Sequence, residues 1–276
     1  MEKTKEIMSE KTNKGLLRLK NILSSMESVL IAYSGGVDST FLLKVASDVL
    51  GDRVLAVTSD SPTITRKELS GARDMAKELG VDHIVIKTDE MDCKDFTKNS
   101  SQRCYWCKNE LFTKLNDIAK KRGFDYVADG SNYSDTSDFR PGLKAAGELN
   151  VRSPLVEASL TKDDIRDLLK IWGLSVWNKP ATACLSSRVP YGQTISVSLL
   201  NRIERAEDIL HKSGFEQVRV RDHNNIARIE VSAEDFSRLF DPRIKDTLSR
   251  SLKELGYKYI AVDLDGYRTG SLNEAL

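Results

Sequence analysis

The sequence lacks the features that mark membrane, secreted and nucleic-acid-binding proteins. No apolar run approaches the length needed to cross a bilayer, and no apolar segment follows the charged N-terminus, so we expect neither a membrane anchor nor a signal peptide. Lys and Arg number 42 against 41 Asp and Glu, which leaves no overall attraction to a nucleic acid or a membrane surface. We therefore expect a cytoplasmic protein with no nucleic-acid partner and no membrane partner.

Cysteine is also scarce, with four residues among 276. In a reducing cytosol, such thiols are ligands or nucleophiles more often than disulfides. Cys104 and Cys107 form a C-x2-C pair, which is compatible with half a zinc site, a redox pair or coincidence. A four-thiolate zinc site needs a second C-x2-C pair, and Cys93 and Cys184 do not form one.

The remaining composition, 40% hydrophobic and 30% charged residues, is typical of a globular protein with one large domain or two ordinary ones. Apolar strands alternate with amphipathic helices over the first part of the chain, which predicts an α/β fold with a doubly wound parallel sheet. The predicted strands are residues 28–33, 53–58, 83–87 and 125–128, and the predicted helices are residues 4–27, 38–50, 65–79, 107–122 and 161–172.

This pattern changes near residue 192, after a segment rich in turn residues. The elements predicted beyond it are helices at 196–213, 233–240 and 242–255, and strands at 217–221, 226–231 and 257–262. We therefore predict a first domain over residues 1–192 and a smaller α+β domain over residues 193–276.

A glycine turn joins the first predicted strand to the helix after it. Its sequence is Ser34-Gly35-Gly36-Val37-Asp38-Ser39. Amide groups at the start of a helix are unpaired, and glycines allow close approach, so such a turn can hold a phosphate. Asp38 would repel a phosphate unless a cation lay between them, which predicts that it binds Mg²⁺. The GxxxxGK[ST] pattern is absent, and the structural alternative is an ordinary Gly-Gly turn.

Two other predicted strands also end in polar or glycine residues. Ser59 and Asp60 follow the second strand, and Asp129 and Gly130 follow a later one. Ligands of doubly wound sheets lie beyond the carboxyl ends of the strands. We therefore expect these residues and the glycine turn to meet at one crevice.

Cys184 lies in a segment that Pro180 excludes from a helix, so we predict a loop there. The structural alternative for this thiol is a small buried apolar residue. Together with Cys104 and Cys107, it would provide three ligands for a 4Fe–4S cluster and leave the fourth iron open, as a sulfur-carrying site requires. Cys93 matches no pattern, and we predict a spare thiol, with a fourth ligand as the alternative.

The glycine turn resembles the SGGxDS pyrophosphate loop of the ATP pyrophosphatases. Taken with four other segments, at residues 138–145, 177–188, 218–230 and 266–270, it resembles the LarE sulfur transferases of nickel-pincer cofactor biosynthesis. The resemblance covers nearly the whole chain. It implies that residues 1–192 form an ATP pyrophosphatase domain and that residues 193–276 bind the substrate phosphate and take part in oligomerisation.

The resemblance implies an enzyme that adenylates the carboxylates of pyridinium-3,5-biscarboxylic acid mononucleotide and converts them to thiocarboxylates. In this family, the sulfur comes either from a loop cysteine in the Cys184 region, which becomes dehydroalanine, or through a 4Fe–4S cluster on three cysteines. Because this chain has Cys104 and Cys107 as well, it resembles the cluster type, supplied by sulfide or another sulfur donor. The implied cofactors are ATP, Mg²⁺ and the cluster, and the implied assembly is a homo-oligomer.

The resemblance also implies roles for the residues at the strand ends. The residues that would bind pyrophosphate are Ser34, Gly35, Gly36 and Ser39, and Asp38 would bind Mg²⁺. The adenosine would contact Ser59 and Asp60. Asp129 and Gly130 would close over the nucleotide. The main alternative is a tRNA thiolation enzyme, which would need to hold an anionic polymer, and the chain has no basic tract for one. A nucleotide-binding module with structural zinc is a non-catalytic alternative.

Four arginines near the end of the chain are predicted to bind the phosphate of the substrate. Arg219 and Arg221 are two residues apart on a strand and therefore face the same side. In the hairpin register that we predict, Arg228 lies opposite Arg219, and a bound anion would relieve their repulsion. Arg268 is predicted to join them. The alternative is a solvated strand face with acidic neighbours such as Glu230.

Overall fold

The computed structural model describes residues 9–137, 141–180, 183–268 and 271–272. Residues 4–8 of the predicted opening helix lie outside the described residues, as do positions 138–140, 181–182 and 269–270 of the family resemblance. Contacts between residues divide the chain into two compact units. The first contains Met1–Ser61, Arg66–Glu90 and Cys104–Thr182, and the second contains Pro62–Thr65, Met91–Arg103 and Ala183–Leu276. The domain boundary at residue 192 stays a prediction.

Helices and strands alternate along the described chain. The α-helices are α1 (Glu10–Ser24), α2 (Val37–Leu50), α3 (Arg66–Glu78), α4 (Lys94–Thr97), α5 (Arg103–Arg122), α6 (Pro141–Glu148), α7 (Pro154–Glu157), α8 (Lys162–Ile171), α9 (Val197–Lys212) and α10 (Pro242–Glu254). The strands are β1 (Val29–Ala32), β2 (Val54–Asp60), β3 (Asp82–Lys87), β4 (Tyr126–Asp129), β5 (Val218–His223), β6 (Ile226–Val231) and β7 (Tyr259–Val262). Short 3-10 helices cover Glu90–Asp92, Tyr133–Ser137, Ser175–Asn178, Leu185–Arg188 and Ala233–Phe240. None of the helices described here has the length and apolar character needed to cross a membrane.

The first unit contains a parallel sheet in the order β3-β2-β1-β4. Its central strand β1 is buried on both faces. Val29 and Ile31 belong to a hydrophobic cluster with residues of α1, α2 and α8, whereas Leu30 and Ala32 belong to a second cluster with residues of α5. Alternate residues of one strand therefore pack against helices on opposite sides of the sheet. This confirms the predicted doubly wound α/β class.

The predicted start of α5 is wrong. The helix begins at Arg103, four residues before the predicted start at 107, so Cys104 lies within its first turns together with Cys107. Apolar periodicity detects the helix only from its buried residues, such as Phe112 and Leu115. The side chains between Arg103 and Phe112 are exposed or half-buried and carry no such signal. The helix predicted at 233–240 is a 3-10 helix.

The second unit contains a smaller sheet in the order β5-β6-β7, in which β5 and β6 are antiparallel and β6 and β7 are parallel. Its core includes Val218 and Val220 of β5, with Leu210 of α9 and Leu252 of α10. The helices therefore cover one face of this sheet. The polar side chains on the other face of β5 are those that we predict to bind phosphate.

The predicted register of the β5–β6 hairpin is wrong by two residues. Arg228 lies opposite Arg221, not opposite Arg219. Asn224 and Asn225 alone form the turn, and Asn224 has a φ of 60°, a left-handed conformation that asparagine tolerates and that two-residue hairpin turns require. The two residues before this turn therefore extend β5 instead of belonging to the loop.

Candidate functional site

The glycine turn after β1 leads directly into α2. Gly35 has a φ of 66°, in the region that favours glycine, and Gly36 is the N-cap of the helix. The backbone N–H of Ser34 donates to Ser39 Oγ at 3.3 Å, and the two serine hydroxyls are 3.1 Å apart. The turn therefore presents the N-terminus of a 14-residue helix at the end of the central strand, which is a phosphate-binding geometry.

Close packing around this turn explains two of the glycines. A Cβ atom on Gly35 would lie 2.8 Å from Cα of Ala72 in α3. A Cβ atom on Gly130 would lie 2.9 Å from the backbone nitrogen of Ser39. Gly130, after β4, therefore packs directly against the first turn of α2, so two of the three predicted strand ends are in contact.

Asp38 lies in the first turn of α2 and is largely buried. Its Oδ2 atom is 2.5 Å from Nζ of Lys162, and its Oδ1 atom is buried without a hydrogen-bond partner among the described residues. Burial raises the pKa of Asp38, and the Lys162 ammonium opposes that shift. A buried carboxylate oxygen without a partner is costly. Mg²⁺ fits this position because it would supply the partner that Oδ1 lacks.

Two lysines near the turn were not assigned from the sequence. Besides Lys162, Lys179 donates from Nζ to the carbonyl oxygen of Gly35 at 2.9 Å, and burial lowers the pKa of Lys179. Lys179 lies in one of the segments that carry the family resemblance, but the resemblance assigns no role to it. Lys162 has no sequence signal, because a lysine at the start of a helix is an ordinary surface residue.

The other strand-end residues lie at the same edge of the sheet, because β2 and β4 are the parallel neighbours of β1. Ser59 and Asp60 end β2, and Asp60 forms an ion pair with Arg66 at 2.5 Å. Asp129 is buried and accepts hydrogen bonds from Ser131 and a second serine. Its carboxylate therefore supports the loop after β4. The contact of these residues with nucleotide stays a prediction.

The cysteines lie in both units. Cys104 and Cys107 are three residues apart on α5, so they share a helix face, and Cys104 is exposed while Cys107 is half-buried. Cys184, in the second unit, is half-buried and precedes the 3-10 helix at 185–188. Within the described ranges, no group of three or more His, Cys, Asp or Glu side chains is arranged to hold a metal ion. Cys104 and Cys107 supply two thiols on one face, which fits the donor chemistry of an iron–sulfur cluster.

Two carboxylates neutralise two of the arginines on the hairpin, because Glu230 pairs with both and Asp263 lies 3.4 Å from Arg228. The Glu230 carboxylate is 1% exposed and accepts hydrogen bonds from Arg221 Nε at 2.5 Å and Arg228 Nη2 at 3.1 Å. The repulsion that we predict a bound anion to relieve is therefore relieved within the chain. Arg268 pairs with Asp265 at 3.1 Å, and both of these side chains are exposed.

Arg219 differs, because no carboxylate among the described residues forms an ion pair with it. It lies opposite Glu230 in the sheet, yet it donates to the carbonyl oxygen of Val218 at 2.7 Å and to Tyr267 Oη at 3.2 Å. Burial and the nearby Arg188 guanidinium lower the pKa of Arg219. A half-buried cation beside another cation would gain from binding an anion, so Arg219 is the best placed of the four predicted phosphate ligands.

Comparison with known proteins identifies relatives of the nucleotide-binding part and of the whole chain. The asparagine synthase family profile matches residues 19–119, which include the glycine turn. A pyridinium-3,5-bisthiocarboxylic acid mononucleotide synthase of Lactiplantibacillus plantarum is 40% identical over 256 residues, which cover 92% of this chain and 92% of that protein.

Two uncharacterized proteins match to a similar extent. One, from Synechocystis sp., is 42% identical over 261 residues, covering 95% of this chain and 97% of that protein. The other, from Methanocaldococcus jannaschii, is 33% identical over 259 residues, covering 93% and 98%. All three matches extend over residues of both units, so the relationship is not confined to the nucleotide-binding part.

Proposed function

Because this chain belongs to the LarE family of pyridinium-3,5-bisthiocarboxylic acid mononucleotide synthases, we propose that it is an ATP-dependent sulfurtransferase acting on pyridinium-3,5-biscarboxylic acid mononucleotide. It adenylates each of the two carboxylates and replaces a carboxyl oxygen by sulfur. The observation that carries this proposal is the 40% identity to the Lactiplantibacillus plantarum synthase across 92% of both chains.

The glycine turn has the geometry that the activation step needs. In that step, a carboxylate oxygen of the substrate bonds to the α-phosphorus of ATP, the bond from that phosphorus to the bridging oxygen breaks, and pyrophosphate leaves. The N-terminus of α2 supplies aligned amide groups and a positive dipole end for the departing phosphates. These groups stabilise the charge that develops on pyrophosphate without rearranging during the reaction.

Asp38 is the residue that we propose holds Mg²⁺. Its buried Oδ1 atom has no hydrogen-bond partner among the described residues, and its position in the first turn of α2 places a carboxylate beside the phosphate site. When bound there, Mg²⁺ neutralises phosphate charge and favours departure of pyrophosphate. Lys162, which is paired with Asp38, can exchange that contact for a phosphate oxygen.

Arg219 is the residue that we propose binds the phosphate of the mononucleotide. Its guanidinium has no carboxylate partner among the described residues, and the ring of Tyr267 lies under it at 5.0 Å. A planar guanidinium held in this way can form a bidentate contact with a phosphate. Arg228 and Arg268 already pair with acidic side chains and would contribute charge at a distance.

We propose that sulfur is delivered by the cluster route. Cys104, Cys107 and Cys184 would provide the three ligands of a 4Fe–4S cluster. With three protein ligands, such a cluster would keep one iron without a protein ligand, which would supply a binding position for sulfide. In the alternative route, Cys184 gives up its own sulfur, and Cys104 and Cys107 have no role. We further expect sulfide or a related donor as a substrate, a homo-oligomeric assembly and a cytoplasmic location, all on the basis of the family.

The test is turnover of anaerobically purified and reconstituted enzyme with the mononucleotide, ATP, Mg²⁺ and sulfide. We expect AMP, pyrophosphate and thiocarboxylate to form repeatedly, and the intact mass of the protein to stay unchanged. The Cys104→Ala/Cys107→Ala double variant should lose iron and turnover, whereas Cys93→Ala is the matched control and should keep both.

Two results would contradict parts of this proposal. A mass lower by one hydrogen sulfide, with dehydroalanine at position 184, would replace the cluster route by the sacrificial one. If addition of the mononucleotide does not increase the formation of AMP, the proposed substrate is rejected.

A further inference from the structure

Three buried arginines hold the backbone on both sides of Cys184. Arg188 donates to the carbonyl oxygens of residues 183 and 184, Arg103 to that of residue 186 at 3.0 Å, and Arg221 to that of residue 187 at 2.8 Å. All three belong to the second unit and are buried. In the Cys184 loop, defined as residues 183–187, four of the five carbonyl groups therefore accept a hydrogen bond from a guanidinium.

Two of these arginines are themselves fixed by buried carboxylates. Nε and Nη2 of Arg188 donate to the two carboxylate oxygens of Glu207 at 2.9 and 3.0 Å, and Arg221 pairs with Glu230 in the same bidentate way. Glu207 also accepts the backbone N–H of Val220 at 3.0 Å, which ties this pair to β5. Because a planar guanidinium in a bidentate pair has little rotational freedom, its remaining donors point in fixed directions.

Arg103 reaches the loop from another part of the same unit. It donates to Oδ1 of Asn99 as well as to the carbonyl oxygen of residue 186. The side-chain amide of Asn99 donates in turn to the carbonyl oxygens of residues 189, 190 and 193 at 2.7–3.2 Å. Segment 91–103 is therefore bonded both to the Cys184 loop and to the residues that follow it.

The guanidinium groups form more hydrogen bonds to this loop than are needed to keep a short loop folded. The loop runs into the short 3-10 helix at Leu185–Arg188, and it is bonded to a distant segment by the N–H of Leu185, which donates to the carbonyl oxygen of Thr63 at 2.7 Å. Taking three guanidinium groups out of water is costly, and apolar packing can replace buried ion pairs where only stability matters. Charge-assisted hydrogen bonds, by contrast, restrict the backbone to one conformation.

We propose that Arg103, Arg188 and Arg221 are positioning residues that fix the Cys184 loop, so that its thiol is presented in one orientation for the sulfur step. The proposal rests on the role of Cys184 in the proposed function. It gives Arg221 a role in holding the loop, because its guanidinium contacts Glu230, the loop and the Ser271 hydroxyl; its predicted contact with the substrate stays a prediction.

Arg188→Lys and Arg103→Met test the proposal with little risk of unfolding. The lysine keeps a cation beside Glu207 but lacks the planar fork that reaches two carbonyl oxygens. Arg103→Met leaves no carboxylate without a partner, because the acceptors of Arg103 are an amide and a backbone oxygen. Arg202→Lys is the matched control, because it keeps a cation beside its carboxylate partner just as Arg188→Lys does. Arg202 pairs with the buried Asp222 in the same unit and bonds to the backbone of residue 224, away from the loop.

Two measurements on cluster-free protein report on the loop itself. We expect hydrogen exchange at the Leu185 amide and alkylation of Cys184 by iodoacetamide to be faster by about tenfold or more in both variants, because each loses charge-assisted hydrogen bonds. Alkylation is measured relative to Cys93, a half-buried thiol of the same unit. After anaerobic reconstitution, iron per chain and turnover should fall in both variants and stay at the wild-type level in Arg202→Lys.

Wild-type exchange and alkylation rates in both variants would overturn the proposal, as would faster rates combined with wild-type iron content and turnover. Equal acceleration in Arg202→Lys would show general destabilisation and would also overturn it. If the wild-type protein forms no thiocarboxylate, the proposed function fails, whereas the exchange rates still decide whether the arginines fix the loop.

Discussion

Replacing Lys162 by methionine tests the charge balance at the glycine turn. Lys162 Nζ and Asp38 Oδ2 are 2.5 Å apart, and the two side chains are 29% and 21% exposed. Exposed ion pairs contribute up to about 1 kcal/mol, and breaking a fully buried pair costs about 3–5 kcal/mol. This pair is intermediate in burial, so Lys162→Met should lower the free energy of unfolding by about 1–2 kcal/mol at neutral pH.

The loss should depend on pH because it acts through the Asp38 carboxylate. Burial already raises the pKa of Asp38, and removing the opposing Lys162 charge raises it further. A carboxyl group whose pKa is higher in the folded state stabilises the fold below its unfolded pKa, and this contribution is lost as the pH rises through the folded pKa. The difference between wild type and Lys162→Met should therefore be largest at neutral pH and shrink as the pH falls towards about 4.

The assay is urea unfolding, without divalent cations, of the wild type, Lys162→Met, Asp38→Asn and the double variant. Asparagine carries no charge to neutralise, so Lys162→Met should cost little in that background, and the coupling free energy should be about 1–2 kcal/mol. Lys44→Met is the matched control on α2, because Lys44 pairs with Asp48 in a more exposed position. A coupling free energy near zero, or a loss that does not vary with pH, would refute the reasoning.

Three further substitutions have defined expected outcomes. Arg219→Gln should raise the KM for the mononucleotide roughly ten- to a hundredfold, because a lost charge-assisted hydrogen bond costs about 1.5–3 kcal/mol, and should leave the KM for ATP unchanged. An equal rise in both KM values, measured by steady-state kinetics, would contradict this. Gly35→Ala should weaken calorimetric ATP binding and destabilise the fold more than Gly51→Ala, since both glycines have positive φ but only at Gly35 would a Cβ meet other atoms within 4 Å. Glu230→Gln should cost about 3–5 kcal/mol in denaturant unfolding, because it leaves the buried Arg221 without its anion, and a loss within about 1 kcal/mol of zero would be inconsistent with that pairing.

The sheet of the first unit was predictable because local pattern and topology agree there. Apolar strands such as β1 and β2 are buried on both sides, so they appear in the sequence as continuous apolar runs, and right-handed crossover connections require parallel pairing. The glycine turn follows the same logic, since Gly35 needs a positive φ and a close approach that only glycine allows.

Contacts between distant residues were not predictable in this way. Lys162 is 124 positions from Asp38 in the sequence, and Lys179 is 144 positions from Gly35. No periodicity or motif links residues at such separations, because the fold as a whole brings them together. Two of the arginines at the Cys184 loop are a further example, since Arg103 is 83 positions from Ser186 and Arg221 is 34 positions from Ser187.

The hairpin shows how one local conformation decides which charge remains available to a ligand. A four-residue turn would pair Arg219 with Arg228, whereas the two-residue turn at Asn224 moves Arg228 opposite Arg221. In this register Glu230 accepts hydrogen bonds from both of those guanidiniums, and Asp263 also pairs with Arg228, so that two carboxylates balance two cations. Arg219 is left without an ion pair among the described residues, so the left-handed asparagine determines which arginine lacks a carboxylate partner and is proposed to bind the phosphate.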